Sequence, residues 1–278
     1  MRLSPLELTV LGVIAGFTIF LGLPIGRVTK RSAGLVSILN ALTVGILVFL
    51  LWDVLTHAIE PVESALGDAI SGTRGWYPFA GLAVAFSFAI ALGLLGLVVY
   101  DKSIERAAMR RLGTNTAHSH SVLHLDEPQS RLAFLIAVGI GLHNFSEGLA
   151  IGQSAAGGRL NVAVVLVVGF ALHNATEGFG ITAPLAGGAR RPGWLQLGLL
   201  GLIGGVPTLA GTLLGGVFVS DLVSTIFLAL AAGSIFYVIV QLVVVSVKLG
   251  RGMGFYVGAL AGILAGFATD FVVTAAGV

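Results

Sequence analysis

Long apolar runs, broken at intervals by short polar or basic stretches, make up most of this chain. A helix needs roughly 20 apolar residues to cross a bilayer's hydrocarbon. On that measure the pattern predicts eight membrane-spanning helices, at residues 6–26, 33–57, 77–100, 131–154, 160–184, 194–218, 223–247 and 254–275. The fold class expected is therefore an all-α membrane protein, with residues 1–278 forming one transmembrane domain. An even number of crossings puts both termini on the same side.

Composition strengthens this reading. The 278 residues are 56% hydrophobic and only 10% charged, where a soluble domain carries about 25% charged residues. Mean hydropathy is +1.00. The first apolar run continues to Gly26 with no small-residue cleavage site ahead of its basic flank, so it reads as a span and not as a removable signal peptide. With no cysteine there is no disulfide framework or thiolate site, and any metal must be held by nitrogen and oxygen.

The basic pI of about 9.2 does not point to nucleic acid, because the cations sit in short clusters between spans and form no continuous stripe. Twelve of the fifteen Lys and Arg residues fall in alternate loops: Arg27 to Arg31, Lys102 to Arg131, Arg190 with Arg191, and Lys248 with Arg251. By the positive-inside rule these loops face the cytoplasm, which predicts a multi-pass protein of the cell membrane with both termini outside.

The longest connection, residues 101–130, is expected to be a cytoplasmic loop and contains "TAHSHSVLHLDEP". Its His118, His120 and His124 are candidates for transient metal capture, a plain polar loop being the competing reading. Forty glycines, many of them inside apolar segments, predict close helix–helix approach.

Two segments break the apolar monotony in the same way: "GLHNFSEGLAIG" in the fourth span and "ALHNATEGFGIT" in the fifth. In a helix, positions i and i+4 share a face, so His143 and Glu147 point together, as do His173 and Glu177. Carboxylates in hydrocarbon are costly and by default functional. Facing one another at one depth, these residues offer two imidazoles and two carboxylates, enough to ligate and charge-balance a divalent cation such as Zn²⁺, with Fe²⁺, Mn²⁺, Co²⁺ and Cd²⁺ as alternatives. Asn144 and Asn174 lie next round each helix, where they can serve an adjacent position or orient a ligand. A buried polar network without metal is the competing reading, and duplication on adjacent spans weakens it. Asp53, His57 and Glu60 share a face near the outer end of the second span and are candidates for the ion path. Gln241 and Asp270 are lone polar residues in the seventh and eighth spans, and Gln241 is also a pathway candidate.

With these motifs the chain resembles the ZIP (Zrt/Irt-like) family of divalent metal transporters along nearly its whole length. The resemblance implies a 3+2+3 arrangement, with helices 1–3 and 6–8 as an inverted repeat around helices 4 and 5. It implies that His143, Glu147, His173 and Glu177 form the main transport site, with Asn144 and Asn174 beside a second metal position bridged by the glutamates. Relatives with that second position often have an acidic residue before a proline in the sixth span. Here "LIGGVPTLAG" puts Val206 before Pro207, so one principal ion is expected. Gln241 likewise stands where relatives often place a glutamate.

The function expected is transport of a divalent metal, zinc first, toward the cytoplasm. The metal is the transported substrate; no cofactor is expected. The partners expected are divalent ions and the lipid bilayer, with a homodimer as the candidate assembly. An intramembrane metalloenzyme would call for a motif such as H-E-x-x-H, which the chain lacks, and a metal sensor would need an output domain.

Overall fold

The computed structural model describes residues 3–27, 33–113, 122–187, 190–217, 220–249 and 252–275. The described residues are helical almost throughout: α1 Pro5–Phe17, α2 Ile19–Gly22, α3 Ala33–Ile70, α4 Trp76–Gly113, α5 Pro128–Ala156, α6 Leu160–Thr182, α7 Trp194–Gly215, α8 Asp221–Leu249 and α9 Met253–Ala275. A 3₁₀ turn at Leu23–Arg27 completes the first crossing, and a second at Pro184–Gly187 follows α6. Among the described residues, eight helical segments are long and apolar enough to cross a membrane, as the hydropathy pattern predicts.

Two helices outrun their predicted limits. α3 continues to Ile70 through Pro61, and α4 continues to Gly113, so residues 101–113 of the expected loop are helical. Hydropathy marks where apolar side chains stop, and helices need not stop there. The polar extension of α4, "DKSIERAAMRRLG", is rich in strong helix formers.

α1 starts with a capping box: Ser4 Oγ accepts from Glu7 N at 3.3 Å while Ser4 N donates to Glu7 Oε2 at 2.7 Å. α5 and α6 are joined by only Gly157, Gly158 and Arg159. Gly158 adopts φ +75°, a left-handed conformation that glycine reaches without strain, and the resulting tight turn makes α5 and α6 antiparallel neighbours.

The helices pair in a pattern that repeats. α3 packs along α9, α4 along α8, α1 along α7, and α5 along both α6 and α7. Exchanging spans one to three for spans six to eight turns the α3–α9 contact into the α8–α4 contact. The same exchange maps α1–α7 and α3–α8 onto themselves. Spans one and six run in opposite directions, so the repeat is inverted.

Small residues permit these contacts. A Cβ built on Gly45 would lie 2.0 Å from Ala259 O, and one on Gly262 would lie 2.1 Å from Leu42 O. The related interface repeats the arrangement: a Cβ built on Gly93 would lie 2.2 Å from Leu230 O, and one on Gly233 would lie 2.3 Å from Ile90 O. Of the apolar window in α5, 72% is buried inside the protein, against 17% for α4 and for α9. α5 is thus central, while α4 and α9 lie at the lipid-facing edge.

Gly233→Leu is expected to lower the melting temperature of the detergent-solubilised protein, since overpacking of this kind costs about 1–3 kcal/mol. Gly81, which has nothing within 4 Å of its Cβ position, should accept alanine with no loss, and differential scanning fluorimetry compares the two.

Candidate metal centre

The antiparallel α5–α6 pair determines which polar side chains meet. One helical turn separates His from Glu on each helix, and the helices run in opposite senses. Each histidine therefore faces the glutamate of the other helix. His143 Nε2 lies 2.7 Å from Glu177 Oε1, and His173 Nε2 lies 2.8 Å from Glu147 Oε1. The expectation of four groups at one depth is refined to two stacked pairs, about 5 Å apart at the spacing of a helical turn.

The two layers differ in access. The His143 and Glu177 side chains are 1% and 0% exposed, whereas those of His173 and Glu147 are 9% and 6% exposed. His173 also has Phe170 beside it, with ring centroids 5.4 Å apart.

The asparagines reach outward to the flanking spans. Asn144 Nδ2 donates to Gly204 O of α7 at 3.0 Å, and Asn174 Nδ2 donates to Ala15 O of α1 at 3.0 Å. These two carbonyls are related by the same exchange of spans, and beside them Gly16 and Gly205 bring α1 and α7 together. A Cβ on Gly16 would lie 2.3 Å from Gly205 O, and one on Gly205 would lie 2.4 Å from Gly16 O. Ser146 and Thr176 spend their hydroxyls on the carbonyls of His143 and His173, at 2.6 and 2.7 Å.

Several ligand-type atoms stay unspent. Glu147 Oε2, Glu177 Oε2, Asn144 Oδ1 and Asn174 Oδ1 are buried without a hydrogen-bond partner. Among the described residues no three His, Asp or Glu side chains gather in a metal-ligating group. The histidines and glutamates are satisfied in pairs, and one ion can engage all four only if each pair exchanges its mutual hydrogen bond for ligation.

The remaining candidates are distributed along the helices. Asp53 is half-buried and its side chain lies within electrostatic range of His57, Asp270, His173 and Glu147, which puts Asp53 and Asp270 near the more accessible layer. His57 Nδ1 donates to the Asp53 carbonyl at 2.9 Å, and Glu60 is exposed. Gln241 is half-buried one turn beyond Tyr237, which has Asp101 and Arg131 in its electrostatic neighbourhood. His124 holds a φ of 48° and its carbonyl accepts from Glu127 N at 3.0 Å. His118 and His120 lie outside the described residues. Val206 is 39% exposed and brings no ligand atom.

Sequence reasoning missed the backbone carbonyls of Ala15 and Gly204. The signal available was a pair of similar tetrapeptides, "IAGF" at 14–17 and "IGGV" at 203–206, one in each half of the repeat.

Eight apolar spans, an inverted helix pairing and ionisable pairs buried between two central helices define a polytopic membrane transporter. The family model described as ZIP Zinc transporter matches residues 102–274, more than half of the chain and both His-Asn-x-x-Glu-Gly motifs, and the chain belongs to that family of membrane metal transporters. No curated protein matches the chain.

Removing one carboxylate leaves its histidine partner buried and unpaired, which costs about 1–3 kcal/mol. Glu177→Ala, in the sealed layer, is expected to lower the melting temperature more than Glu147→Ala, and thermal denaturation of both variants checks the order.

Proposed function

We propose that this protein carries a divalent cation, zinc first among the candidates, from outside the cell to the cytoplasm through a site made of His143, Glu147, His173 and Glu177. The observation that carries the reading is the reciprocal pairing of these four side chains, with one oxygen of each glutamate unspent at the centre of the fold. Two carboxylates balance the charge of a divalent ion, and two imidazoles with two carboxylates form a donor set that zinc accepts. Asn144 and Asn174, each tethered through its amide nitrogen, present carbonyl oxygens beside that set.

The more accessible pair, His173 with Glu147, receives the ion first, after Asp53 and His57 draw it toward the second span. With the basic loops inside, that end of the site faces out and both termini lie outside the cell membrane. Release uses the opposite end, where a cavity of about 270 Å³ opens between α5, the end of α6 and α8, lined among others by Leu132, Ala183, Val245 and Lys248. The group α1, α2, α5, α6 and α7 shifts against α3, α4, α8 and α9 to alternate access.

Proteoliposomes containing the intact chain should take up zinc, and His143→Ala and Glu177→Ala should each reduce the rate by at least about tenfold, as expected for loss of a ligand. Uptake unchanged in both variants rejects the site, and competition by iron, manganese or cadmium ranks the ions. Protons compete for the same ligand atoms, so uptake should fall between about pH 7 and about pH 5.5, where imidazole protonates. A flat or rising profile contradicts a simple deprotonated site. The absence of cysteine allows single cysteines introduced at the termini to report their side by labelling with an impermeant maleimide.

A further inference from the structure

Thr208 stands where α1, α5 and α7 meet. Its Cβ is 3.0 Å from the position a Cβ on Gly16 would take, and its carbonyl oxygen is 2.1 Å from the position a Cβ on Gly148 would take. The residue is wholly buried, and its hydroxyl has no hydrogen-bond partner. A threonine inside a helix ordinarily donates to the carbonyl four residues back, as Thr212 does to Thr208 O at 2.8 Å. For Thr208 that carbonyl is Gly204 O, where Asn144 Nδ2 sits at 3.0 Å. A carbonyl has two lone pairs. The helical N–H of residue 208 uses one and Asn144 uses the other, so the hydroxyl is left out.

The related carbonyl on α1 is arranged differently. Ala15 O accepts from Asn174 Nδ2 at 3.0 Å and from Thr18 Oγ1 at 2.7 Å. Four residues beyond Ala15 stands Ile19, which is fully buried and has no hydroxyl. An aliphatic side chain therefore fills that position, and the hydroxyl at Ala15 O comes instead from Thr18 and is bound together with Asn174, whereas on the Asn144 side the Thr208 hydroxyl stands unpaired.

We infer that Thr208 is a positioning residue for Asn144: its hydroxyl and the Asn144 amide compete for Gly204 O, so Asn144 alternates between a tethered and a released side chain as the ion passes. When Asn144 swings free of α7, the Thr208 hydroxyl takes the vacated carbonyl, so neither Gly204 O nor that hydroxyl is left unpaired by the release. When Thr208 yields, Asn144 is held with Oδ1 presented to the ion. The inference rests on the proposed site, and it makes the two asparagines unequal, with Asn144 exchangeable and Asn174 lacking a hydroxyl at the corresponding position.

Thr208→Val removes the competitor at nearly constant volume. It should raise the melting temperature, because a buried unpaired hydroxyl is lost. Zinc uptake should at the same time show a Vmax lower by about two- to tenfold, the range of one ordinary hydrogen bond, with no rise in KM. Thr208→Ser should keep wild-type uptake.

In an Asn144→Ala background Gly204 O is free for Thr208, so Thr208→Val should no longer raise the melting temperature and should lower it instead. The same upward shift in both backgrounds, or wild-type uptake by Thr208→Val, overturns the inference. Thr208→Ala repeats the comparison if the valine variant is poorly recovered. His143→Ala measured in parallel separates the two failures: if it abolishes uptake while Thr208→Val is silent, only the role of Thr208 is lost, and if it leaves uptake intact the site itself is wrong.

Discussion

A carboxylate in the hydrocarbon interior is strongly disfavoured unless a partner meets it there, and Glu177, with none of its surface exposed, is the severest case in this fold. Its partner is His143 on the neighbouring helix, and Glu147 meets His173 in the same way. His and an acidic residue one turn apart on a single helix share a face and can pair there, as His57 does with Asp53 at 3.5 Å, but in α5 and α6 each histidine pairs across to the other helix. The pairs need two antiparallel helices in contact at matched depth. The three-residue turn at Gly157–Arg159 and the burial of α5 at the centre of the bundle both serve that requirement.

The flanking spans complete the arrangement through their backbones. Asn144 and Asn174 each donate to a carbonyl of a neighbouring helix, which is possible only where that helix comes close and its carbonyl is exposed along the contact. Glycine provides the approach at Gly16 and Gly205, where each residue's missing Cβ leaves room for the other's carbonyl. The same device recurs at the α3–α9 and α4–α8 interfaces. Close contact through small residues lets these helix pairs pack backbone against backbone.

Much of this was legible in the sequence. Eight spans followed from hydropathy, and the charge asymmetry of the loops agreed with an even count. The duplicated His-Asn-x-x-Glu-Gly motif singled out the six polar residues of the candidate centre, because polar groups inside lipid-spanning length carry their own signal. The inverted repeat was illegible, since lipid-facing positions accept almost any apolar residue and the two halves share little more than "IAGF" and "IGGV". The ends of α3 and α4 were misjudged because hydropathy falls at the membrane boundary while helix propensity does not. The crossed pairing of His143 with Glu177 and of His173 with Glu147 also escaped notice. Spacing within a helix reports a shared face, and only the sense of the neighbouring helix decides which residues meet across it.

The two layers are related by the fold yet unequal in surroundings. Asp53 and Asp270 lie near the pair that retains some exposure, His173 with Glu147, whereas His143 and Glu177 are sealed. On the proposed route an ion meets the first carboxylate while the second still holds its histidine. Each glutamate passes from imidazole to cation in turn, so no step leaves a bare carboxylate in the interior. A symmetric site with four groups at one depth would have to part both pairs together, and the desolvation penalty of two unpaired charges would fall in a single step. Stacking the pairs divides that penalty, which gives a physical reason for writing the motif once on each of two antiparallel helices.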